Sequence, residues 1–363
     1  MNDLESFKDR IQPENKYIIY GAKSHAHCMY LTLKQLLPDA EALYFMVTEK
    51  QDDPDSIEGV AVKNIWECTE QDREIVVLVA VSLKHLDNIC ATLAKWNYSN
   101  VFDGTFGGDF DNDVRVRYFT DCKALREING GMSHKAFSLC MYMAKSIVDQ
   151  KLHNEPDMPE YIRPVQAGAA LTEERIADCR DDKGENISLK NRNYCECTVT
   201  YYIWKHAAED YVGLCHYRRR FRFNEKDLEI LKGGEVDVVL PNPVITVKGR
   251  YDVHYKPFVK EGVYETMLSV LKEAFPEYYE TALKVMQGDL FYPCNVVLAK
   301  KSVFDAYAEW MFDVLARVEA VCGDETVRTD RYLGYLAEHL TTFYFVKNRN
   351  SLNIAHSMME ILK

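Results

Sequence analysis

Short apolar runs alternate with amphipathic stretches over the first hundred residues of the chain. The apolar runs predict strands at residues 17–20, 42–47, 75–81 and 100–102, and the stretches between them predict helices at 25–37 and 82–96. The run at 75–81 is apolar throughout, which is typical of a parallel strand that is buried on both faces. This alternation predicts a half-Rossmann domain over residues 1–105.

A stretch rich in glycine and acidic residues follows, and we interpret residues 106–135 as a linker. Its acidic run, DFDND at residues 109–113, raises the alternative of a calcium site. An EF-hand loop, however, needs a glycine at its sixth position and a glutamate at its twelfth, and both are missing here. A solvated linker is therefore the favoured interpretation.

A second α/β pattern begins at Ala136 and predicts another domain over residues 136–363. Apolar runs predict strands at residues 137–144, 211–215, 236–240 and 294–299. Stretches with helical spacing predict helices at residues 194–205, 263–273, 276–287, 302–321 and 331–340. The predicted fold class of the whole chain is therefore α/β, in two domains.

Composition limits the functions that this pattern can serve. The chain has 363 residues and a formal net charge of −12, so it lacks the basic surface that broad nucleic-acid binding needs. Residues 1–16 are polar, and no run approaches the roughly 20 apolar residues of a membrane span, so we expect neither a leader peptide nor a transmembrane helix. The eleven cysteines are odd in number and several lie in apolar runs, which favours free thiols in a reducing cytoplasm.

The turn after the first predicted strand occupies the place of a dinucleotide-binding glycine loop. Its sequence is GAKSHA, at residues 21–26, and it keeps one of the three usual glycines. Lys23 stands where the second glycine lets the backbone approach a pyrophosphate, and Ala26 replaces the third. A bound nucleotide and a degenerate scaffold or dimerisation module are both open interpretations, and the second is favoured.

The predicted strand at 211–215 ends at a concentration of positive charge, His216-Tyr217-Arg218-Arg219-Arg220. Arginine side chains bind phosphate with two hydrogen bonds, and a neighbouring histidine can donate a hydrogen bond or carry a proton. The alternative is a solvated strand edge whose arginines pair with nearby acids. Peripheral membrane contact through these arginines and Arg222 is a third interpretation.

Several separated motifs between residues 137 and 347 carry a family resemblance. They are YIRPVQAGA (161–169), DDKGENISLKN (181–191), YCE (194–196), Trp204-Lys205, GLCHYRR (213–219), Asn295 in its apolar run, FxxYxEWxF (304–312) and GYLAE (334–338). Together they resemble the HYRR-signature family of bacterial capsular and exopolysaccharide glycosyltransferases, whose characterised members include galactofuranosyltransferases.

The resemblance implies a GT-A-like glycosyltransferase domain that follows the half-Rossmann domain, with a nucleotide-sugar donor that we expect to be a UDP-sugar. The implied acceptor is a growing capsular or exopolysaccharide glycan, free or lipid-linked, and galactofuranose is a candidate for the transferred sugar. We expect the protein in the cytoplasm, with peripheral contact at the inner membrane face. No cofactor beyond the donor is predicted.

The motifs also indicate a set of donor-binding residues, namely Asp182, Asn186, Lys190, Glu196, Arg218, Arg219 and Asn295. Asn186 and Glu196 can contact the nucleoside or the sugar hydroxyls, and Lys190 can contact a phosphate. The alternative is loop capping, in which Asn186 and Ser188 satisfy the backbone groups of a turn and a helix start. Ligand contact is favoured because this block precedes the HYRR strand in the family order.

Sugar transfer leaves a nucleoside diphosphate, whose growing negative charge many GT-A enzymes neutralise with a metal ion held by a DxD motif. Here the corresponding strand end carries Arg218 and Arg219, and fixed guanidinium groups can stabilise the same charge without metal. We therefore predict a metal-independent transferase. An ion pair between one of these arginines and an acid such as Glu196 is the alternative, and the two roles are compatible.

An inverting transferase also needs a general base that takes the proton of the acceptor hydroxyl. We rank Glu338 first and Asp289 second, and His216 is a third candidate. His254 matches a family position only loosely, and the arginine that follows the family glutamate is His339 here.

Two other functions are weighed against the transferase. A nucleotide-sugar oxidoreductase or epimerase would act through the N-terminal domain and would need a working dinucleotide loop, against which Lys23 argues. The other alternative is a non-catalytic component of a polysaccharide assembly complex.

Overall fold

The computed structural model describes residues 2–128, 137–152, 157–324 and 328–362 of the chain. Within these ranges the chain forms two compact units, Met1–Asp121 and Cys122–Lys363.

In its described part, the first unit has one six-stranded sheet and four α-helices. In chain order the elements are α1 (Leu4–Ile11), β1 (Lys16–Tyr20), α2 (Ser24–Leu36), β2 (Glu41–Val47), β3 (Ser56–Ile57), β4 (Val60–Asn64), β5 (Val76–Val79), α3 (Leu86–Lys95), β6 (Val101–Asp103) and α4 (Asp109–Tyr118). The strand order is β3-β4-β2-β1-β5-β6, and all neighbouring strands except β3 and β4 are parallel. This parallel sheet confirms the predicted Rossmann-like architecture.

The strands of the first unit are buried on both faces, which explains their continuous apolar runs. Ile19 of β1 packs in one cluster with Phe7 of α1 and Phe110 of α4. Its neighbour Ile18 belongs to the cluster on the opposite face of the sheet, together with Leu93 of α3. The two clusters follow from the alternation of side chains along a strand.

The turn between β1 and α2 requires its glycine. Gly21 has a φ of +123°, and a Cβ atom at this position would lie 2.7 Å from the carbonyl oxygen of Ala80. Lys23 occupies the position of the second glycine of a dinucleotide-binding loop, and its side chain forms an ion pair with Asp53 at 2.8 Å. The turn therefore keeps the structural role of the first glycine, while Lys23 is bound to an acid of the same unit.

The predicted linker at 106–135 is wrong over its first part, where helix α4 forms. Phe110 and Val114 bury one side of this helix in the core, and Asp111 forms a buried ion pair with Arg115 one turn later. The acidic run occupies the first turn of the helix, where carboxylates interact favourably with the helix dipole. It is thus part of a packed helix, and the last residues of the predicted linker, 129–135, lie outside the described residues.

The second unit begins earlier than predicted, at Cys122. Leu125 is buried in one of its core clusters, and Ala124 forms a β-bridge with His356. Residues 122–125, which belong to the predicted linker, therefore pack in the second unit, and Ala124 pairs with a residue near the end of the chain.

The second unit is built on a mixed sheet. The strands of the unit are β7 (Leu139–Lys145), β8 (Ile162–Gln166), β9 (Cys179–Arg180), β10 (Tyr211–His216), β11 (Arg219–Phe221), β12 (Val238–Pro241), β13 (Val244–Ile245), β14 (Leu290–Phe291), β15 (Val297–Lys300), β16 (Ile354–Ser357) and β17 (Met359–Ile361). Of these, β13 and β14 form a separate antiparallel two-stranded sheet. The α-helices of the unit are α5 (Asn191–Tyr194), α6 (Cys197–His206), α7 (Glu225–Lys232), α8 (Val263–Ala274), α9 (Pro276–Gln287), α10 (Lys301–Cys322) and α11 (Tyr332–Asn348).

The main path of this sheet is β16-β12-β15-β10-β7-β8-β9, and β11 joins β10 to β17. Strands β10, β7, β8 and β9 are parallel, whereas β15 runs antiparallel to β10 and to β12. The carboxyl ends of β7 and β10 therefore meet the amino end of β15 at one edge of the sheet. Gly213 allows the close approach of β10 and β15, because a Cβ there would lie 2.2 Å from the carbonyl oxygen of Val297.

Two predicted elements of the second unit are interrupted by residues with positive φ. The helix predicted at 194–205 is divided into α5 and α6, because Cys195 has a φ of 51°. The strand predicted at 294–299 begins only at Val297, because Cys294 and Asn295 have φ values of 71° and 51°. Both interruptions lie at the sheet edge at which β10 ends.

Candidate active site

His216 is the last residue of β10, and it lies between two other segments of the edge. Its Nε2 is 2.6 Å from the carbonyl oxygen of Cys294 and 3.9 Å from Oε1 of Glu196, which immediately precedes α6. Burial lowers the pKa of His216, and the charge of Glu196 opposes this shift. The imidazole is thus fixed by a hydrogen bond to the turn that precedes β15.

Asn295 in this turn connects the other segments of the edge. Its Nδ2 donates to Oε1 of Glu196 at 2.9 Å and to the carbonyl oxygen of Gly334 at 3.3 Å. Its Oδ1 accepts from Oγ1 of Thr341 at 3.2 Å. The side chain is buried, so its amide fixes α11 and the start of α6 relative to each other.

Glu338 of α11 lies at the same turn, where its Oε2 accepts a hydrogen bond from the backbone N–H of Cys294 at 3.1 Å. Burial raises the pKa of Glu338 to about 7, and the nearby charge of Glu196 adds to the increase. The Cys294 N–H, Arg219 and Arg331 act in the opposite direction. A carboxyl group with this pKa exchanges its proton near neutral pH, as a general base requires.

The arginines after β10 divide into two pairs. Arg220 and Arg222 form ion pairs with the two carboxylate oxygens of Glu360 on β17, at 3.3 and 3.5 Å. Within the described residues, neither Arg218 nor Arg219 forms such an ion pair. The solvated-edge alternative therefore describes Arg222, whose side chain is 79% exposed, whereas Arg220 is paired with the same acid but buried.

Arg218 and Arg219 lie at the same sheet edge as His216 and Glu338. The charge of Arg219 lowers the pKa of Glu338 and that of His216. Arg218 donates to Oε1 of Gln150 at 3.4 Å, and its buried Nε has no hydrogen-bond partner in the described part of the chain. A buried donor without a partner is costly, and a bound anion would satisfy it.

Backbone strain is concentrated at this edge. Within the described ranges, four of the seven non-glycine residues with positive φ lie here, namely Cys195, Cys294, Asn295 and Arg331. Arg331 also donates from Nε to Sγ of Cys195 at 3.1 Å, which joins the start of α11 to the break between α5 and α6. Such conformations cost free energy and cluster at functional sites.

Two residues of the motif at 181–191, Asp181 and Asn186, have structural contacts within the unit. Asp181 is fully buried and accepts hydrogen bonds from the backbone N–H groups of Gly168 and Ala169 and from Oγ1 of Thr198, at 2.6–3.0 Å. Asn186 binds its own loop, since its Nδ2 donates to the carbonyl oxygen of Gly184 at 2.8 Å and its Oδ1 accepts from the N–H of Ser188 at 3.1 Å. These contacts of Asn186 are those of the loop-capping alternative.

The remaining predicted residues have partners elsewhere in the unit. Asp182 lies 3.3 Å from Nε of Arg180, and Lys190 forms an ion pair with Glu319 of α10 at 2.6 Å. Asp289 precedes β14, and its carbonyl oxygen accepts from the N–H of Thr246 at 2.7 Å. The side chain of His254 lies outside the described residues. The structure thus brings together Glu338, His216, Glu196, Arg219 and Asn295 from the predicted set.

Sequence reasoning missed Asp149, in the loop after β7. Burial raises the pKa of its carboxyl group, and the charges of His216 and Arg218 oppose the increase. The parallel pairing of β7 and β10 carries this loop to the edge where His216 lies. An acid shortly after a predicted parallel strand is a signal that would have indicated it. Arg331 and Cys195 carried no comparable signal, because their roles depend on the folded backbone.

In the part of the chain that the structure describes, no group of three or more His, Cys, Asp or Glu side chains is arranged to hold a metal ion. Metal independence stays a prediction. A search of the described helices also finds none that is long and apolar enough to cross a membrane, and all eleven cysteines lie in described segments as free thiols.

The second unit, with its mixed sheet and the polar edge at β10, defines an α/β fold of the GT-A-like class. The comparison with solved structures supports this assignment. The apo structure of the bifunctional glycosyltransferase WbbM is similar, with a TM-score of 0.55 and 24% sequence identity, over 62% of this chain and 45% of that chain. This chain thus covers less than half of the length of that protein.

Residues 147–349 match the family model described as a domain of unknown function, DUF4422, and the chain belongs to this family. The match includes Asp149, β10 and all of α11. No curated protein matches the chain.

Proposed function

We propose that this protein is a glycosyltransferase that moves a sugar from a nucleotide-sugar donor to a growing glycan. The observation that carries the proposal is the convergence of Arg219, Glu196 and Glu338 on the turn of Cys294 and Asn295. Cations and a carboxyl group with a pKa near neutrality, at the carboxyl edge of parallel strands, suit a reaction in which a nucleoside diphosphate leaves and a base takes the proton of the acceptor hydroxyl. The fold shared with WbbM supports this choice.

In the proposed reaction, Arg218 and Arg219 bind the diphosphate of the donor. The bond between the anomeric carbon and the phosphate oxygen breaks with its electron pair on that oxygen, whose charge the guanidinium groups stabilise. The buried Nε of Arg218 and the absence of an ion pair at Arg219, both within the described residues, support this role.

Glu338 is the proposed general base. The acceptor hydroxyl attacks the anomeric carbon, and its proton passes to the Glu338 carboxylate, so that the products are the elongated glycan and the nucleoside diphosphate. Glu196, His216 and Asn295 hold the turn that donates the Cys294 N–H to Glu338. Asp289 as an alternative base, and donor contacts by Asp182, Asn186 and Lys190, stay predictions.

The finer features of the proposal follow from the family resemblance. They are a UDP-sugar as the donor, galactofuranose as a candidate sugar, a capsular or exopolysaccharide acceptor and a cytoplasmic location with contact at the inner membrane face. The rival oxidoreductase would act through the first unit, and its need for a dinucleotide loop is opposed by the pairing of Lys23 with Asp53.

A donor panel tests the proposal. We would incubate the full chain with UDP-galactofuranose, UDP-galactopyranose, UDP-glucose and UDP-N-acetylglucosamine, with and without EDTA, and detect released UDP by mass spectrometry. We expect UDP release from at least one donor, in EDTA as well as without it. Thermal stabilisation by NAD alone, with no UDP released from any donor, would contradict the proposal and favour the oxidoreductase.

A further inference from the structure

An aromatic side chain is exposed beside α11, in the segment that leads into α8. Phe258 keeps 52% of its surface accessible although its ring is stacked on another ring. Its ring lies on that of Tyr335, with centroids 5.1 Å apart and planes inclined by 24°. We call these two rings the Phe258–Tyr335 platform.

The platform is fixed by the segment that carries Phe258. The backbone N–H of Phe258 donates to the carbonyl oxygen of Tyr255 at 2.9 Å, and the Tyr255 ring stacks on Tyr264 of α8 at 3.7 Å. Further along, Lys260 lies 3.8 Å from Asp330, just before α11. The exposed ring is therefore held in a defined turn on both sides.

The platform lies next to the proposed general base. Tyr335 and Glu338 are three residues apart on α11, a spacing that puts both side chains on one face of the helix. The Arg331 guanidinium lies 6.0 Å from the centre of the Tyr335 ring, and it also acts on Glu338. One face of α11 thus presents an aromatic surface and a carboxyl group, and the Arg331 cation lies just before the start of the helix.

We propose that the Phe258–Tyr335 platform binds a sugar ring of the acceptor. A sugar ring has an apolar C–H face, which an exposed aromatic ring covers, and hydroxyl groups at its rim, which can reach a neighbouring carboxyl group. A sugar combines the apolar face that Phe258 can cover with the hydroxyl group that the proposed general base Glu338 requires. The choice of a sugar as the occupant therefore rests on the proposed function.

Ligand-observed saturation-transfer NMR tests the platform with two probes, methyl β-D-galactopyranoside and methyl β-D-glucopyranoside, in the presence of UDP. We expect at least one probe to bind the unaltered chain and Phe258→Trp, which keeps an aromatic surface. Phe258→Ala should weaken binding about tenfold. Trp66→Ala, at an aromatic residue of the first unit that is 51% exposed, is the matched control and should bind as the unaltered chain does.

The outcomes separate this inference from the proposed function. Equal probe binding by Phe258→Ala and the unaltered chain would overturn the platform, and so would an equal loss in Trp66→Ala. UDP binding without binding of either probe would also overturn the platform but leave the transferase standing. Probe binding that depends on Phe258, in a chain that binds no UDP, would keep the sugar site and contradict the transferase.

Discussion

Replacement of Glu338 by Gln removes a charge that the fold holds at a cost. The folded protein raises the pKa of this carboxyl group from its ordinary 4.5 to about 7. Between these two values the folded state holds a proton that the unfolded chain has already released, so the free energy of unfolding falls as the pH rises through this interval. Above pH 7 the whole loss is present, and below pH 4.5 it is absent.

The size of this effect follows from the shift. At about 1.4 kcal/mol per pKa unit, the loss amounts to roughly 3 kcal/mol. Because the side chain is partly accessible to solvent, we expect about 2 kcal/mol after screening. Glu338→Gln lacks the titrating group, and its amide oxygen can still accept the Cys294 N–H. The variant should therefore gain about 2 kcal/mol on the unaltered chain between pH 4.5 and pH 8.

Urea unfolding of the full chain at a series of pH values measures this difference. Glu309→Gln, at an exposed position of α10, is the matched control and should follow the unaltered chain at every pH. The same Glu338 variant should lose transfer activity by about 10²- to 10⁴-fold, and the kcat/KM of the unaltered chain should rise with pH and level off above about 7. A stability difference between Glu338→Gln and the unaltered chain that does not change with pH would refute the reasoning.

Three further substitutions test the packing that supports the site. Asn295→Ala should lower transfer activity more than UDP affinity, because Glu196 loses its hydrogen bond; equal losses in kinetics and UDP calorimetry would contradict this. Gly213→Ala should lower the free energy of unfolding in urea by about 1–3 kcal/mol, since its Cβ meets the carbonyl of Val297, and an unchanged free energy would disprove that close contact. Asp181→Ala should cost more than about 3 kcal/mol by the same assay, through several unpaired donors, whereas a loss below 1 kcal/mol would count against their burial.

The alternation of strands and helices could be predicted because it depends on local periodicity. The runs at β1, β5 and β10 are apolar over their length, and their parallel pairing explains why. Helix α4 was missed because an acidic run looks solvated until the pairing of Asp111 with Arg115 is known. Apolar periodicity was thus enough to predict these strands, but not a helix in which a buried ion pair covers the polar side chains.

The site was only partly predictable, because its contacts join residues far apart in sequence. The division of the arginines depends on Glu360, which lies 140 residues after Arg220. The link between Glu196 and Asn295 spans 99 residues, and the positive φ values of Cys294 and Asn295 leave no trace in an apolar pattern. The sequence indicated candidate site residues, and the fold determined which of them lie together.

The central claim is that Arg219 binds the donor diphosphate without a metal ion. Calorimetric titration of UDP in EDTA tests it directly, with Arg219→Ala compared with Arg222→Ala, whose side chain is 79% exposed and paired with Glu360. A lost charge-assisted contact of about 1.5–3 kcal/mol predicts that Arg219→Ala binds UDP about 10- to 100-fold more weakly, while Arg222→Ala binds as the unaltered chain does. Equal affinities of all three proteins, or UDP binding only when a divalent cation is added, would contradict the claim.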